Sequence, residues 1–134
     1  MLMMYLVEHR TSTDNDDSYK VIGIFSSLQK ANETVNFYQK EVEGFCLFPS
    51  GFSIIPVPVL GSGSDNSVTD LFLITSWKPK DGTEEDIRAE AVFCVKNQAA
   101  KYRLRYKLCH PFRKCIVDKY IRDCPEWREG FISS

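Results

Sequence analysis

The sequence predicts an α+β fold in which two ββαβ repeats share a mainly antiparallel sheet, with two helices on one face of it. Three observations lead to this prediction. The order strand, turn, strand, helix, strand occurs twice in 134 residues. The spacing of apolar residues changes from two to about 3.6 at matching places, and a Gly/Ser stretch separates the halves.

We expect a single domain over residues 1–134, because a unit of about 60 residues buries too little surface to be stable alone. The first ββαβ unit covers residues 1–60, and the second covers residues 70–134. The Gly/Ser composition between them, at residues 61–69, is typical of a linker. The two units are therefore expected to share one core.

In the first repeat, β-branched and aromatic residues predict strands over residues 3–9 and 19–25. Ser26 followed by Gln29 predicts a capping box at the start of a helix. The apolar residues of this helix recur at spacings of three and four, which places them on one stripe: Leu28, Ala31, Val35, Tyr38 and Val42. We expect Phe25 and the first four residues of the stripe to pack against three strand residues, namely Leu6, Ile22 and Ile24.

A third extended run in the first repeat, residues 52–59, contains Pro56 and Pro58. A proline has no backbone N–H to donate to a neighbouring strand. We therefore expect this run to be an edge strand, or to leave the sheet early.

The second repeat follows the same order. Strands are predicted over residues 71–77 and 87–93, around a polar turn that contains Asp81 and Gly82, and residues 112–121 form a last extended run. Its helix carries four residues on one face: Val95, Ala99, Tyr102 and Tyr106. A shift of 68 residues superposes three pairs: Tyr19 on Ile87, Phe25 on Phe93 and Ala31 on Ala99.

The composition is that of a soluble globular protein, with 43% hydrophobic and 26% charged residues. No apolar run approaches the roughly 20 residues that cross a bilayer. The first residues predict a strand and not a signal peptide. Five irregularly spaced cysteines without an export signal are typical of free thiols, so we expect a cytoplasmic protein that does not act on a membrane.

The sequence offers little support for a metal site or an enzyme. The acidic run from Asp14 to Asp17 lacks the Gly and Glu of a calcium-binding EF-hand, because Tyr19 and Phe25 occupy those positions. Four potential zinc ligands lack the close pairing of structural zinc sites: Cys109, His110, Cys115 and Cys124. Phosphate-binding and nucleophile-elbow motifs are missing from the sequence. We expect no catalysis, no metal, no cofactor and no obligatory small molecule.

Charge is distributed unevenly along the chain. Residues 1–70 carry four Lys and Arg against nine Asp and Glu, whereas residues 71–134 carry thirteen against nine. The basic excess lies between residues 96 and 122. One function that it indicates is nucleic-acid binding or regulation through a basic set: Lys101, Arg103, Arg105, Lys107, Arg113 and Lys114.

Several segments resemble a family of small bacterial ββαβ proteins that end in W-x-E-G-F. They are YLVEH (5–9), KVIGIFSS (20–27), KA (30–31), GFSI (51–54) and WREGF (127–131). The resemblance covers residues 4–55 and, less closely, residues 112–132, and the stretch between them is similar to a duplicated copy. The family has no assigned catalytic residues, so the resemblance implies none here.

By type, the chain is similar to immunity proteins of contact-dependent growth inhibition and related toxin systems, which bind one toxin and block its active site. This likeness implies a protein partner, namely a toxin domain that acts as a nuclease. Carboxylates would complement the basic cleft of such a toxin. The candidate contact residues lie in the two hairpins: Asp14, Asp16, Asp17, Glu84, Glu85 and Asp86.

Overall fold

A computed structural model describes residues 2–11, 18–61 and 68–132. The first repeat contains β1 (Met3–His9), β2 (Lys20–Phe25), α1 (Leu28–Glu41) and β3 (Phe52–Leu60), and the second contains β4 (Asp70–Lys80), β5 (Thr83–Phe93), α2 (Lys96–Cys109) and β6 (Lys114–Ile121). Two short 3₁₀ turns, Phe45–Leu47 and Pro49–Gly51, connect α1 to β3. This element order confirms the predicted α+β class and shows that the ββαβ order occurs twice along the chain.

The strands form one six-stranded sheet in the order β2-β1-β3-β5-β4-β6. All neighbours are antiparallel except β3 and β5, which are parallel and pair only at Val59 with Val92 and at Leu60 with Phe93. Each repeat therefore contributes three adjacent strands. The short parallel pair joins the two halves of the sheet.

The prolines of β3 explain why this parallel pair is so short. The N–H of Val59 donates to the carbonyl of Leu2 at 2.8 Å, so alternate residues of β3 bond to β1. Pro56 and Pro58 lie on the other alternation, and their nitrogens point towards β5. β3 thus lies inside the sheet and not at its edge, although residues 52–58 pair with β1 alone. The missing donors only prevent pairing on its β5 side.

Matching β-bulges show that the two repeats are equivalent. In the β1–β2 pair, Val7 lies opposite Gly23 and Glu8 opposite Val21, which leaves Ile22 as the extra residue. In the β4–β5 pair the register skips Glu90 in the same way. Ile22 and Glu90 are 68 residues apart, as the sequence shift requires.

Both helices cover the same face of the sheet, as predicted. Phe52 and Ile54 of β3 pack in the α1 cluster, and Leu60 packs in the α2 cluster, so alternation along β3 places both clusters on one side. The opposite face curls around a second core that combines both repeats: Met4, Leu6, Val21, Ile24, Val59, Leu71, Leu73 and Val92. Both repeats contribute to this core, and it buries apolar surface that a single small repeat could not bury alone.

The chain after β6 completes the curl by returning along the outer edge of β2. The N–H groups of Asp123 and Glu126 donate to the carbonyls of Ile24 and Ile22, at 3.0 and 2.6 Å. The carboxylate of Asp123 accepts hydrogen bonds from the N–H and Oγ of Ser26, at 2.7 and 2.8 Å. The second repeat thereby closes the free edge of the first.

The C-terminal motif W-x-E-G-F packs against the first repeat. Phe131 donates its N–H to the carbonyl of Glu43 at 3.0 Å, and its ring lies 4.8 Å from that of Phe45. Gly130 has φ of +78°, and a side chain there would collide with the carbonyl of Glu43. The glycine is required for this close approach of two backbones.

Three details of the predicted α1 packing differ in the structure. The N-cap is Ser27, whose side chain accepts from the N–H of Lys30, because Asp123 already occupies Ser26. Leu28 is 48% exposed at the first position of the helix. Leu6 and Ile24 lie in the core on the opposite face, whereas Phe25, Ala31, Val35 and Tyr38 pack with Ile22 as expected.

Candidate functional site

The two β-hairpins open at the same end of the sheet. β1 and β4 run towards this end and β2 and β5 run away from it, because β3 is antiparallel to β1 and parallel to β5. We call this region the hairpin end: residues 9–11 and 18–20 of the first hairpin and residues 78–86 of the second. Loops at one end of a sheet share one solvent-facing surface.

The acidic candidates of the first hairpin, Asp14, Asp16 and Asp17, lie outside the described residues. The residues on either side of that gap are joined at the hairpin end. The N–H of Thr11 donates a hydrogen bond to Oγ of the buried Ser18 at 3.0 Å. The base of the first hairpin is therefore fixed.

The acidic candidates of the second hairpin differ in whether their carboxylates are exposed or ion-paired. Glu84 and Glu85 are exposed, and Glu85 lies opposite Lys78 on the neighbouring strand. Asp86 has φ of +51°, and its Oδ2 lies 2.6 Å from Nη2 of Arg88 and 3.0 Å from Nη1 of Arg113. These arginines, Arg88 first, hold the pKa of Asp86 below its usual value. The carboxylate of Asp86 is therefore engaged in ion pairs within the protein.

Arg10 connects the bases of the two hairpins. Its Nη2 donates to the carbonyl of Ile87 at 2.9 Å, and its guanidinium lies 4.8 Å from the ring centre of Tyr19. The hydroxyl of Tyr19 donates to Oε2 of Glu8 at 2.5 Å. Burial first, and Glu8 second, raise the pKa of Tyr19 far above its usual value. The hairpin end is thus cross-linked between repeats.

A polar network that the sequence reasoning missed lies beneath α2. The hydroxyls of Ser76 and Tyr106 both lie within donor distance of Oε1 of Glu90, at 2.6 and 2.9 Å. Arg113, with a side chain only 7% exposed, donates Nη2 to Ser76 at 2.9 Å and Nε to Tyr106 at 3.0 Å. Its Nη2 also reaches the carbonyl of Asp86 at 2.7 Å.

This network braces the structure and does not form a nucleophile. Both hydroxyls lie within donor distance of one oxygen of Glu90, the hydroxyl of Tyr106 also lies 3.2 Å from Oγ of Ser76, and Arg113 supplies donors to both hydroxyl oxygens. A serine nucleophile needs a base that takes its proton while its oxygen faces the substrate. One sequence signal could have revealed the network, because the 68-residue shift puts Glu90 at the core position of Ile22.

In the first repeat, the buried polar side chain beneath α1 is that of His9. Its ring is fully buried between Phe45 and Phe52, at centroid distances of 4.8 and 4.5 Å, and Nε2 lies 2.9 Å from the carbonyl of Phe48. Nδ1 has no hydrogen-bond partner among the described residues. Burial lowers the pKa of His9, which favours the neutral ring.

The structure separates the other sequence candidates. Within residues 2–11, 18–61 and 68–132, no group of three or more His, Cys, Asp or Glu could hold a metal ion. All five cysteines are free thiols, and Cys115 is buried whereas Cys109 is exposed. The basic set is also divided: Arg113 is buried in the network, Arg103 donates to the carbonyl of Cys115 at 3.1 Å, and the other four are exposed.

Comparison with family models, curated proteins and solved structures finds no match to this chain. The resemblance of residues 4–55 and 112–132 to a ββαβ family therefore stays a prediction. No helix in the described part of the chain is long and apolar enough to cross a membrane.

Proposed function

We propose that the protein is a non-catalytic binding protein, and specifically an immunity protein that neutralises a nuclease toxin domain at the hairpin end. One observation carries the proposal: the hairpins of both repeats open at the same end of one sheet. The exposed carboxylates of Glu84 and Glu85 lie there, and the bases of the hairpins are joined through Arg10.

The physical argument is electrostatic complementarity. A nuclease that grips phosphates has a basic cleft, and a carboxylate surface speeds the encounter with such a cleft and then occupies the place of the phosphates. A rigid base matters for this role, because ordering a loop upon binding reduces affinity. Arg113 and Arg10 provide such bracing for the second hairpin.

The alternative is a nucleic-acid-binding or regulatory module. The observation in its favour is that α2 carries five Lys and Arg and no acidic residue. Two of the six residues first assigned to this role, Arg103 and Arg113, have their guanidinium groups engaged inside the protein. The exposed cations that remain for phosphate contacts are Lys101, Arg105, Lys107 and Lys114.

The experiment is a pull-down from the source cell with the tagged chain and two charge-reversal variants. One variant carries Asp14→Lys, Asp16→Lys, Asp17→Lys, Glu84→Lys and Glu85→Lys, and the other carries Lys101→Glu and Arg105→Glu. We expect the wild type and the α2 variant to retain one basic partner protein. We expect the hairpin variant to lose it, with association slowed by about tenfold or more.

Two further readouts decide between the functions. Addition of the purified chain should abolish the nuclease activity of the captured partner at one-to-one stoichiometry. The gene that lies beside the coding sequence should encode a large secreted toxin. Recovery of nucleic acid alone, with retention that falls steeply as salt rises and disappears in the α2 variant, would contradict the immunity proposal.

A further inference from the structure

A groove between α2 and β6 remains open on the surface. It encloses about 480 Å³. Its apolar lining is Ala100, Leu104, Ile116 and Val117, and its two cations are Lys96 and Arg103. We call it the α2–β6 groove. It lies on the second repeat and has no part in the hairpin end.

An exposed apolar row continues from this groove along the helix. Leu104 and Leu108 are 63% and 84% exposed and lie four residues apart on α2, and Phe112, 87% exposed, follows in the turn after the helix ends at Cys109. Residues four apart on a helix lie on one side, about 6 Å apart. The fold does not require apolar residues there, since the equivalent positions of α1 are Asn36 and Lys40. Contiguous exposed apolar surface of this kind marks interaction sites.

The charged side chains of α2 itself have a single sign. The cations of α2 are Lys96, Lys101, Arg103, Arg105 and Lys107, and the helix has no acidic residue. By contrast, α1 balances Lys30 and Lys40 with Glu33 and Glu41. A ligand for this surface must therefore combine apolar side chains with negative charge.

We infer that the α2–β6 groove and the apolar row bind an acidic amphipathic helix of a partner protein. Leucines of such a helix would pack on Leu104 and Leu108, and its carboxylates would meet Lys96 and Arg105. Nucleic acid fits the α2–β6 groove less well, because the apolar side chains that line it are aliphatic and bases do not stack on them: Ala100, Leu104, Ile116 and Val117. This inference is independent of the hairpin end and of the immunity proposal.

The test uses a designed probe and variants taken from the first repeat. The probe is a fluorescent helical peptide of about five turns, with Leu at positions i, i+3, i+4 and i+7 and Glu beside them. Its control has the same composition in scrambled order. The protein variant is Leu104→Asn with Leu108→Lys, which copies Asn36 and Lys40 and adds one positive charge.

We expect the wild type to bind the ordered peptide at least about tenfold more tightly than the scrambled one. The variant should lose about tenfold in affinity, although its extra charge would strengthen a purely electrostatic contact. Its melting temperature should match the wild type, because both side chains are exposed. The hairpin variant with five Lys substitutions should bind the peptide as the wild type does.

Three outcomes would overturn the inference. The first is equal binding of ordered and scrambled peptides, or no binding of either at about 1 mM. The second is unchanged or tighter binding by the Leu104→Asn, Leu108→Lys variant. The third is tighter binding, equally strong in that variant, of a single-stranded DNA oligonucleotide or of vesicles of phosphatidylglycerol and phosphatidylcholine in equal parts. The last result would assign the surface to phosphate groups.

Discussion

The same place in the two repeats is filled by opposite chemistry. Beneath α1, Tyr38 packs with Phe45 and the bulge residue Ile22 in an aromatic and aliphatic cluster. Beneath α2, the equivalent Tyr106 meets the bulge residue Glu90 and the guanidinium of Arg113. The same backbone fold therefore accommodates two different interiors between helix and sheet. One consists of packed rings, and the other is a hydrogen-bonded ionic network.

The two interiors are expected to lose stability in different ways when a residue is substituted. An apolar cluster loses stability in proportion to the atoms that are removed, with an added cost for the cavity. A buried polar network depends on every member, because removing one partner leaves a desolvated charge behind. Three predictions, taken from the largest expected effect to the smallest, test this difference.

Phe45→Ala should cause the largest loss, about 4–5 kcal/mol of unfolding free energy. The ring is fully buried and contacts His9, Tyr38 and Phe131, so its removal leaves a cavity. Urea denaturation measures the loss. The control is Phe112→Ala, since that ring is 87% exposed. Equal losses in the two variants would show that the first-repeat cluster does not carry the fold.

Arg113→Met should cost about 3 kcal/mol, because it removes the buried guanidinium that pairs with Asp86 and donates to the hydroxyls of Ser76 and Tyr106. The exposed neighbour provides the control, Lys114→Met. Adding Glu90→Ile, which copies Ile22 of the first repeat, should recover part of the loss, since it replaces the carboxylate that remains in the network beneath α2 with an apolar side chain. A double variant that is less stable than Arg113→Met, measured by the same denaturation, would contradict the ionic interpretation.

The smallest effect is a pH dependence that belongs to the first repeat. Burial lowers the pKa of His9 from 6.5, so the unfolded chain binds its proton before the folded protein does. Stability should be full above pH 6.5 and fall as the pH drops below it, by at most about 1.4 kcal/mol per pH unit. Urea midpoints between pH 7.5 and 5 measure it. His9→Gln should flatten the curve, and an unchanged slope would remove His9 as its cause.

Much of the fold could be predicted because its signals are local. The 68-residue shift that pairs Phe25 with Phe93 and Ala31 with Ala99 also pairs their burial in the structure. The same shift places Glu90 on Ile22, yet Arg113, which binds the same two hydroxyls as Glu90, lies 23 residues away and follows α2. No spacing in the sequence connects these two residues, and only the packing of α2 on β4 and β5 brings them together.

The candidate site was less predictable, because the availability of a charge depends on distant partners. Asp86 and Glu85 are neighbours in the sequence, but Arg113 and Arg88 engage Asp86 while Glu85 is exposed. Arg113 was itself a candidate for contacts with nucleic acid. Composition shows that both charges exist, whereas the tertiary structure shows that each one binds the other.

The sequence by itself determined the class of the fold, the two repeats and the face of each helix that is buried, because apolar periodicity is written into consecutive residues. The tertiary structure alone decided which face of each strand meets a helix. The bulge at Ile22 shifts the alternation of β2, so that Ile22 packs beneath α1 whereas Ile24, two residues later, lies in the second core with Leu6. It also decided that Asp123 and not Gln29 binds Ser26, because the chain after β6 returns to the free edge of β2.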